Sequence, residues 1–138
     1  MARRLVPHFR HTALAALLLV LAVGASGARA ANPAPPGVTT GGADTISGSG
    51  ATLAGLVTAN GAETSVHFEY GTSAAYGMST PPVTVPADAT SAEVRTPIVN
   101  LTAGTTYHLR IVATNAAGTV YGQDRAFATT GTPRPAYV

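Results

Sequence analysis

Residues 101–118, LTAGTTYHLRIVATNAAG, decide the fold. From Thr106 the chain alternates. Tyr107, Leu109, Ile111 and Ala113 fall on one side and His108 and Arg110 on the other, the period of two that a β-strand imposes. Gly104-Thr105 turns the chain into this strand, and Asn115 to Gly118 closes it as a hairpin, since Gly and Asn tolerate the backbone angles tight turns demand. Upstream, Ser65 to Tyr70 repeats the alternation, with Val66, Phe68 and Tyr70 on the apolar side and Ser65, His67 and Glu69 on the polar side. Downstream, AFATT at 126–130 places Phe127 inward.

Working outward, strands and turns recur at the spacing of a sandwich. Strands are expected over 38–45 and 51–58. In the second, either Ala51, Leu53 and Gly55 or Ala54 and Leu56 point inward, and the pattern leaves both open. Asn60-Gly61 turns the chain, 71–77 is a loop, and Pro81-Pro82 keeps a strand over 83–85 short and at an edge. Residues 91–99 form another strand, with Val94 and either Ile98 or Val99 inward and Pro97 requiring an edge or a bulge. A last strand runs over 120–129. The expectation is an all-β sandwich of about seven antiparallel strands.

The corner at 101–107 resembles that of fibronectin type III-like domains, Leu-x-Pro-Gly-Thr-x-Tyr. Leu101, Gly104, Thr105 and Tyr107 match, and Ala103 stands where the Pro would be. The strings FEYG at 68–71 and TTYHLRIVATNAAG at 105–118 are similar to those in such repeats of bacterial exported and surface proteins. The resemblance covers Val38 to Thr129. It implies an Ig-like, fibronectin type III-like sandwich in which the Tyr107 hydroxyl bonds to backbone of the preceding turn. Phe68 takes the place of the Trp many such domains carry on that strand. With no Cys in the chain, the inter-sheet bridge of antibody domains is excluded.

The first thirty residues read as a signal peptide. Arg3, Arg4 and Arg10 precede eleven uninterrupted apolar residues, Ala13 to Val23, and Ala28-Arg29-Ala30 supplies small residues for cleavage before Ala31. That apolar run spans about 16 Å as a helix, too little for a hydrocarbon core of about 30 Å. A secreted or cell-envelope location with no remaining membrane anchor is expected. Residues 31–37 are Pro-rich and read as a linker, 38–130 as the domain, and 131–138 as a flexible tail. Four of the eight basic residues lie in the signal, leaving four Arg against six carboxylates: the net charge of +2 becomes −2 on cleavage. Nucleic acid is therefore not an expected partner.

Sites are harder to read. His67, Glu69, His108 and Arg110 lie on the polar faces of two strands that neighbour one another in this fold. They are candidates for a metal or proton-transfer group, with a solvated Glu69–Arg110 ion pair as the plainer reading. There is no Gly-x-Ser-x-Gly elbow, no Cys and no phosphate loop, so catalysis and a cofactor are not expected. Sugar rings stack on exposed aromatic faces. The chain has no Trp; Tyr76, Tyr121 and Tyr137 remain outside the core, and Tyr76 and Tyr121 are the candidates, although each is followed by Gly and fits turn packing as well. The residues expected to hold the fold are Phe68, Tyr70, Leu101, Gly104, Tyr107, Leu109 and Ile111. A protein or a polysaccharide is the expected partner, and a non-catalytic spacer, adhesion or interaction module the expected role.

Overall fold

A computed structural model describes residues 32–132. The expected signal peptide and the last six residues of the expected tail lie outside the described residues. Nine strand segments form two antiparallel sheets: β1 (Gly37–Asp44), β2 (Gly50–Thr58), β3 (Thr64–Gly71), β4 (Met78–Ser79), β5 (Val83–Val85), β6 (Ala92–Val99), β7 (Thr106–Asn115), β8 (Gly118–Tyr121) and β9 (Arg125–Ala128). The smaller sheet runs β1-β2-β6. In the larger, β3 and β7 pair at the centre, β4 and β5 share the outer edge of β3, and β8 and β9 share that of β7. Among the described residues there is no helix.

Seven strands become nine segments for local reasons. Pro81 and Pro82 have no N–H to give to a ladder, so the edge strand splits into β4 and β5. Thr80 bridges the gap. Its N–H donates to Phe68 O at 2.9 Å, and its Oγ1 accepts from Phe68 N at 2.9 Å. The last strand splits at a bulge. Tyr121 opposes Val112 and Arg125 opposes Leu109, so Gly122, Gln123 and Asp124 face only Arg110 and Ile111. Gly122 is where the bulge comes closest to β1 and β7. A Cβ there would collide with Thr40 Oγ1 and stand 2.7 Å from Ile111 Cγ2.

The two sheets bury one apolar core, with Leu53, Val57, Val66, Phe68, Leu109, Ile111 and Ala113 wholly inaccessible. The second strand resolves to the Ala51, Leu53, Gly55, Val57 parity, with Leu56 exposed. On β6, Val94 and Ile98 are inward and Val99 outward. Pro97 is tolerated because β6 is an edge, paired to β2 alone. Tyr70 is only partly buried, packed against the core rather than within it. Residues 34–36, within the Pro-rich lead-in, are tied to the domain by hydrogen bonds. Ala34 N donates to Asn60 O at 3.1 Å, Asn60 Nδ2 to Pro35 O at 2.7 Å and Asn115 Nδ2 to Ala34 O at 2.8 Å, and Pro36 is buried.

The corner at 101–107 is built as the resemblance implies. Thr102 N donates to the Tyr107 hydroxyl oxygen at 2.9 Å, and the Tyr107 ring stacks on Phe127 with centroids 5.8 Å apart. Gly104 N donates to Thr130 O at 3.3 Å. Thr129 closes the corner from the other end, its Oγ1 donating to Thr102 O at 2.6 Å and accepting from Thr105 N at 2.9 Å.

Candidate functional site

Antiparallel pairing places directly opposite residues side by side on one face. On the outer face of the larger sheet this produces three cross-strand rows: His67–Val112–Tyr121, then Ser79–Glu69–Arg110, then Gly71–His108–Ala126. Four candidates from the sequence therefore share a face but not a cluster. His67 stands four register positions from His108, about 13 Å along the strand at ~3.3 Å per residue. The two histidines do not converge on one ion, which removes the metal reading of His67, Glu69 and His108. His67 is instead opposite Val112, which is 2% exposed on a face otherwise open to solvent.

The central row carries the chemistry. Arg110 Nε donates to Glu69 Oε2 at 2.6 Å. Its guanidinium lies over two rings at once, 4.6 Å from the Tyr76 centroid and 4.4 Å from the Tyr121 centroid. A cation over an aromatic face is held by the ring quadrupole, worth about 0.5–1 kcal/mol at an exposed site. Both Nη groups of Arg110 have no hydrogen-bond partner among the described residues.

Tyr76 is brought there by a strained loop. Its φ is 60°, uncommon for a residue with a side chain, and its N–H donates to Ser73 O at 3.0 Å. Gly71 makes the close approach possible: a Cβ at Gly71 would overlap the Tyr76 carbonyl. The bulge supplies the other anchor. Asp124 turns onto the outer face, where Oδ1 accepts from the Tyr76 hydroxyl at 2.9 Å and Oδ2 lies 2.9 Å from His108 Nδ1. An ionised carboxylate only accepts, so the His108 tautomer beside it carries its proton on Nδ1.

These contacts shift two groups. The His108 hydrogen bond, helped by that from Tyr76, holds the Asp124 carboxyl below its ordinary value. Burial first, then the bond to Asp124, raises the Tyr76 phenol. No serine or threonine hydroxyl bonds to His108 among the described residues.

Asp124 and Ser79 are the members that sequence reading missed. Asp124 sits in what reads as one continuous strand, and the signal was Gly122, an isolated glycine in a strand pattern, which is a mark of a bulge. Ser79 follows Gly77 in what reads as loop, and nothing in its neighbourhood sets its register with Glu69.

No protein-family model and no curated protein sequence matches the chain. Solved structures do match. The sensor domain of the anti-sigma factor RsgI4 in Pseudobacteroides cellulosolvens superposes with a TM-score of 0.56 at 17% identity, over 73% of this chain and 100% of that one. A solution structure of the same sensor domain gives 0.51 at 15% identity, over 74% and 89%. The third fibronectin III domain of human KIAA0343 protein gives 0.45 at 15%, over 78% and 94%. The strand order, the tyrosine-anchored corner and the sensor-domain superpositions define an Ig-like, fibronectin type III-like β-sandwich.

Proposed function

We propose that the chain is an exported, non-catalytic interaction module, cleaved before Ala31 and using the outer face of β3, β7 and β8 as its binding surface. The observation that carries the reading is the Tyr76–Arg110–Tyr121 stack, in which Tyr121 is 55% exposed. Tyr and Arg are the side chains that most often dominate binding energy, because they bring large, pre-organised contact area with donors attached. The strand edges serve less well. β6 carries Glu93, Arg95 and Pro97, β1 has a register shift between Thr40 and Gly42, and both edges of the larger sheet are interrupted. Each of these discourages an added strand. A fold alone does not define a partner, and the sensor role of RsgI4 belongs to that protein.

A second reading, a carbohydrate-binding module, is favoured by one feature. Tyr76 lines a shallow groove with Glu69, Ala75, Gly77, Met78, Ser79 and Arg110. The test is binding of the labelled chain to the envelope of the cells that make it, with and without protease or periodate pretreatment. A protein partner is lost to protease and a glycan to periodate. Tyr121→Ala should weaken either, and binding that this substitution leaves unchanged would sink the assignment of the face.

A further inference from the structure

The groove beside Arg110 has unused hydrogen-bonding capacity of a particular kind. Ser79, Glu69 and Arg110 stand side by side in one cross-strand row. Of their polar atoms, only Arg110 Nε and Glu69 Oε2 are engaged with one another, at 2.6 Å. Glu69 Oε1, the Ser79 hydroxyl and both Arg110 Nη groups have no side-chain partner among the described residues. The row therefore offers a carboxylate acceptor, a hydroxyl that both donates and accepts, and a planar fork of donors.

We propose that this row is a subsite for a neutral saccharide, read through a pair of adjacent hydroxyls. A sugar hydroxyl is donor and acceptor at once, so one can donate to Glu69 Oε1 while it or its neighbour accepts from an Arg110 Nη. Tyr76, whose ring packs on the Arg110 guanidinium, lines the same groove, and an aromatic side chain in its wall suits the C–H groups of a sugar ring. Charge selects the class. Glu69 and Arg110 cancel one another, and Asp124, held ionised by His108, adds a negative charge beside Tyr76. An anion gains nothing at such a site. A peptide strand has no ladder to join, because β4 is two residues long and is followed by Pro81 and Pro82.

The inference rests on the carbohydrate reading of the outer face, and its test is affinity electrophoresis. The full chain is run in native gels containing hydroxyethylcellulose, xylan, galactomannan or soluble starch, with polygalacturonate as the acidic comparison. At least one neutral polymer should retard it. Glu69→Gln and Ser79→Ala should each weaken that apparent affinity by about tenfold, the usual scale for one good hydrogen bond lost. Ser79→Ala should melt at the parent value and Glu69→Gln within the small shift that loss of one partly exposed ion pair allows, and Glu93→Gln on the other sheet should bind as the parent does. Migration unaffected by every neutral polymer, retardation by polygalacturonate alone, or retardation that Glu69→Gln leaves intact would overturn the subsite. If the sugars fail while Tyr121-dependent envelope binding persists, the subsite falls and the interaction module stands. Loss of both removes both.

Discussion

Two tyrosine hydroxyls in this molecule each make one 2.9 Å hydrogen bond, and the similarity ends there. Tyr107 is 4% exposed, and its hydroxyl accepts from the backbone of Thr102, five residues away. Tyr76 lies on the outer face, and its hydroxyl donates to Asp124, 48 residues away. The first bond lets a large ring enter the core with its polar end satisfied. The second holds a ring over a guanidinium in water. Packing sets the worth of the first and position sets the use of the second. The inner corner is scaffold and the outer stack is surface.

That contrast predicts a steep gradient in stability. Tyr107→Ala removes a core ring and should cost ~3–5 kcal/mol in urea unfolding, whereas Tyr107→Phe removes one hydroxyl and should cost ~0.5–1.5 kcal/mol. Equal and negligible shifts would mean that the corner does not anchor the fold. Next comes Gly71, which belongs to the outer region but acts through backbone. Gly71→Ala forces a Cβ into the Tyr76 carbonyl, so the loop must move. A loss of ~1–3 kcal/mol, the scale of overpacking, is expected, together with loss of the environment that Tyr76 gives Arg110. An unperturbed Tyr76 ring resonance in that variant would contradict the link.

The smallest effect concerns acid. Asp124 has a folded-state pKa depressed mainly by the His108 hydrogen bond, so its contribution is present above its unfolded value and is lost as pH falls through the folded one. Asp124→Asn should therefore match the parent more closely below about pH 4 than at neutral pH, judged by the parent-minus-variant difference in melting temperature. The group is exposed and the difference should be small. A difference that grows on acidification would reverse the sign and rule out the assigned cause.

The same contrast explains what the sequence made legible. The corner from Leu101 to Tyr107 closes within seven residues, so its turn chemistry and alternation are written in one string. Glu69 and Arg110 were readable as neighbours because two strongly alternating strands fix each other's faces. Register was not readable, and register decides the site. It sets His67 four positions from His108 and gives Ser79 to Glu69. The bulge at Gly122 to Asp124 is a one-residue event inside a strand pattern, and that single residue turns Asp124 toward His108 and Tyr76. Parity of β2 was open for a plainer reason: Ala51, Leu53, Ala54 and Leu56 are apolar on both faces, and only packing between the sheets buries Leu53 and exposes Leu56.

If the outer Tyr–Arg–Tyr stack serves binding rather than folding, one variant read twice will separate the two roles. Tyr121→Ala removes one wall of the stack from a residue already 55% exposed. Its unfolding free energy in urea should fall by no more than about 1 kcal/mol, the worth of an exposed cation–π contact. Envelope binding by the same preparation should fall by about tenfold or more, as when an interface aromatic is truncated. A variant that loses stability on the scale of Tyr107→Ala would make the stack part of the scaffold, and one that binds as the parent does would remove it from the binding surface.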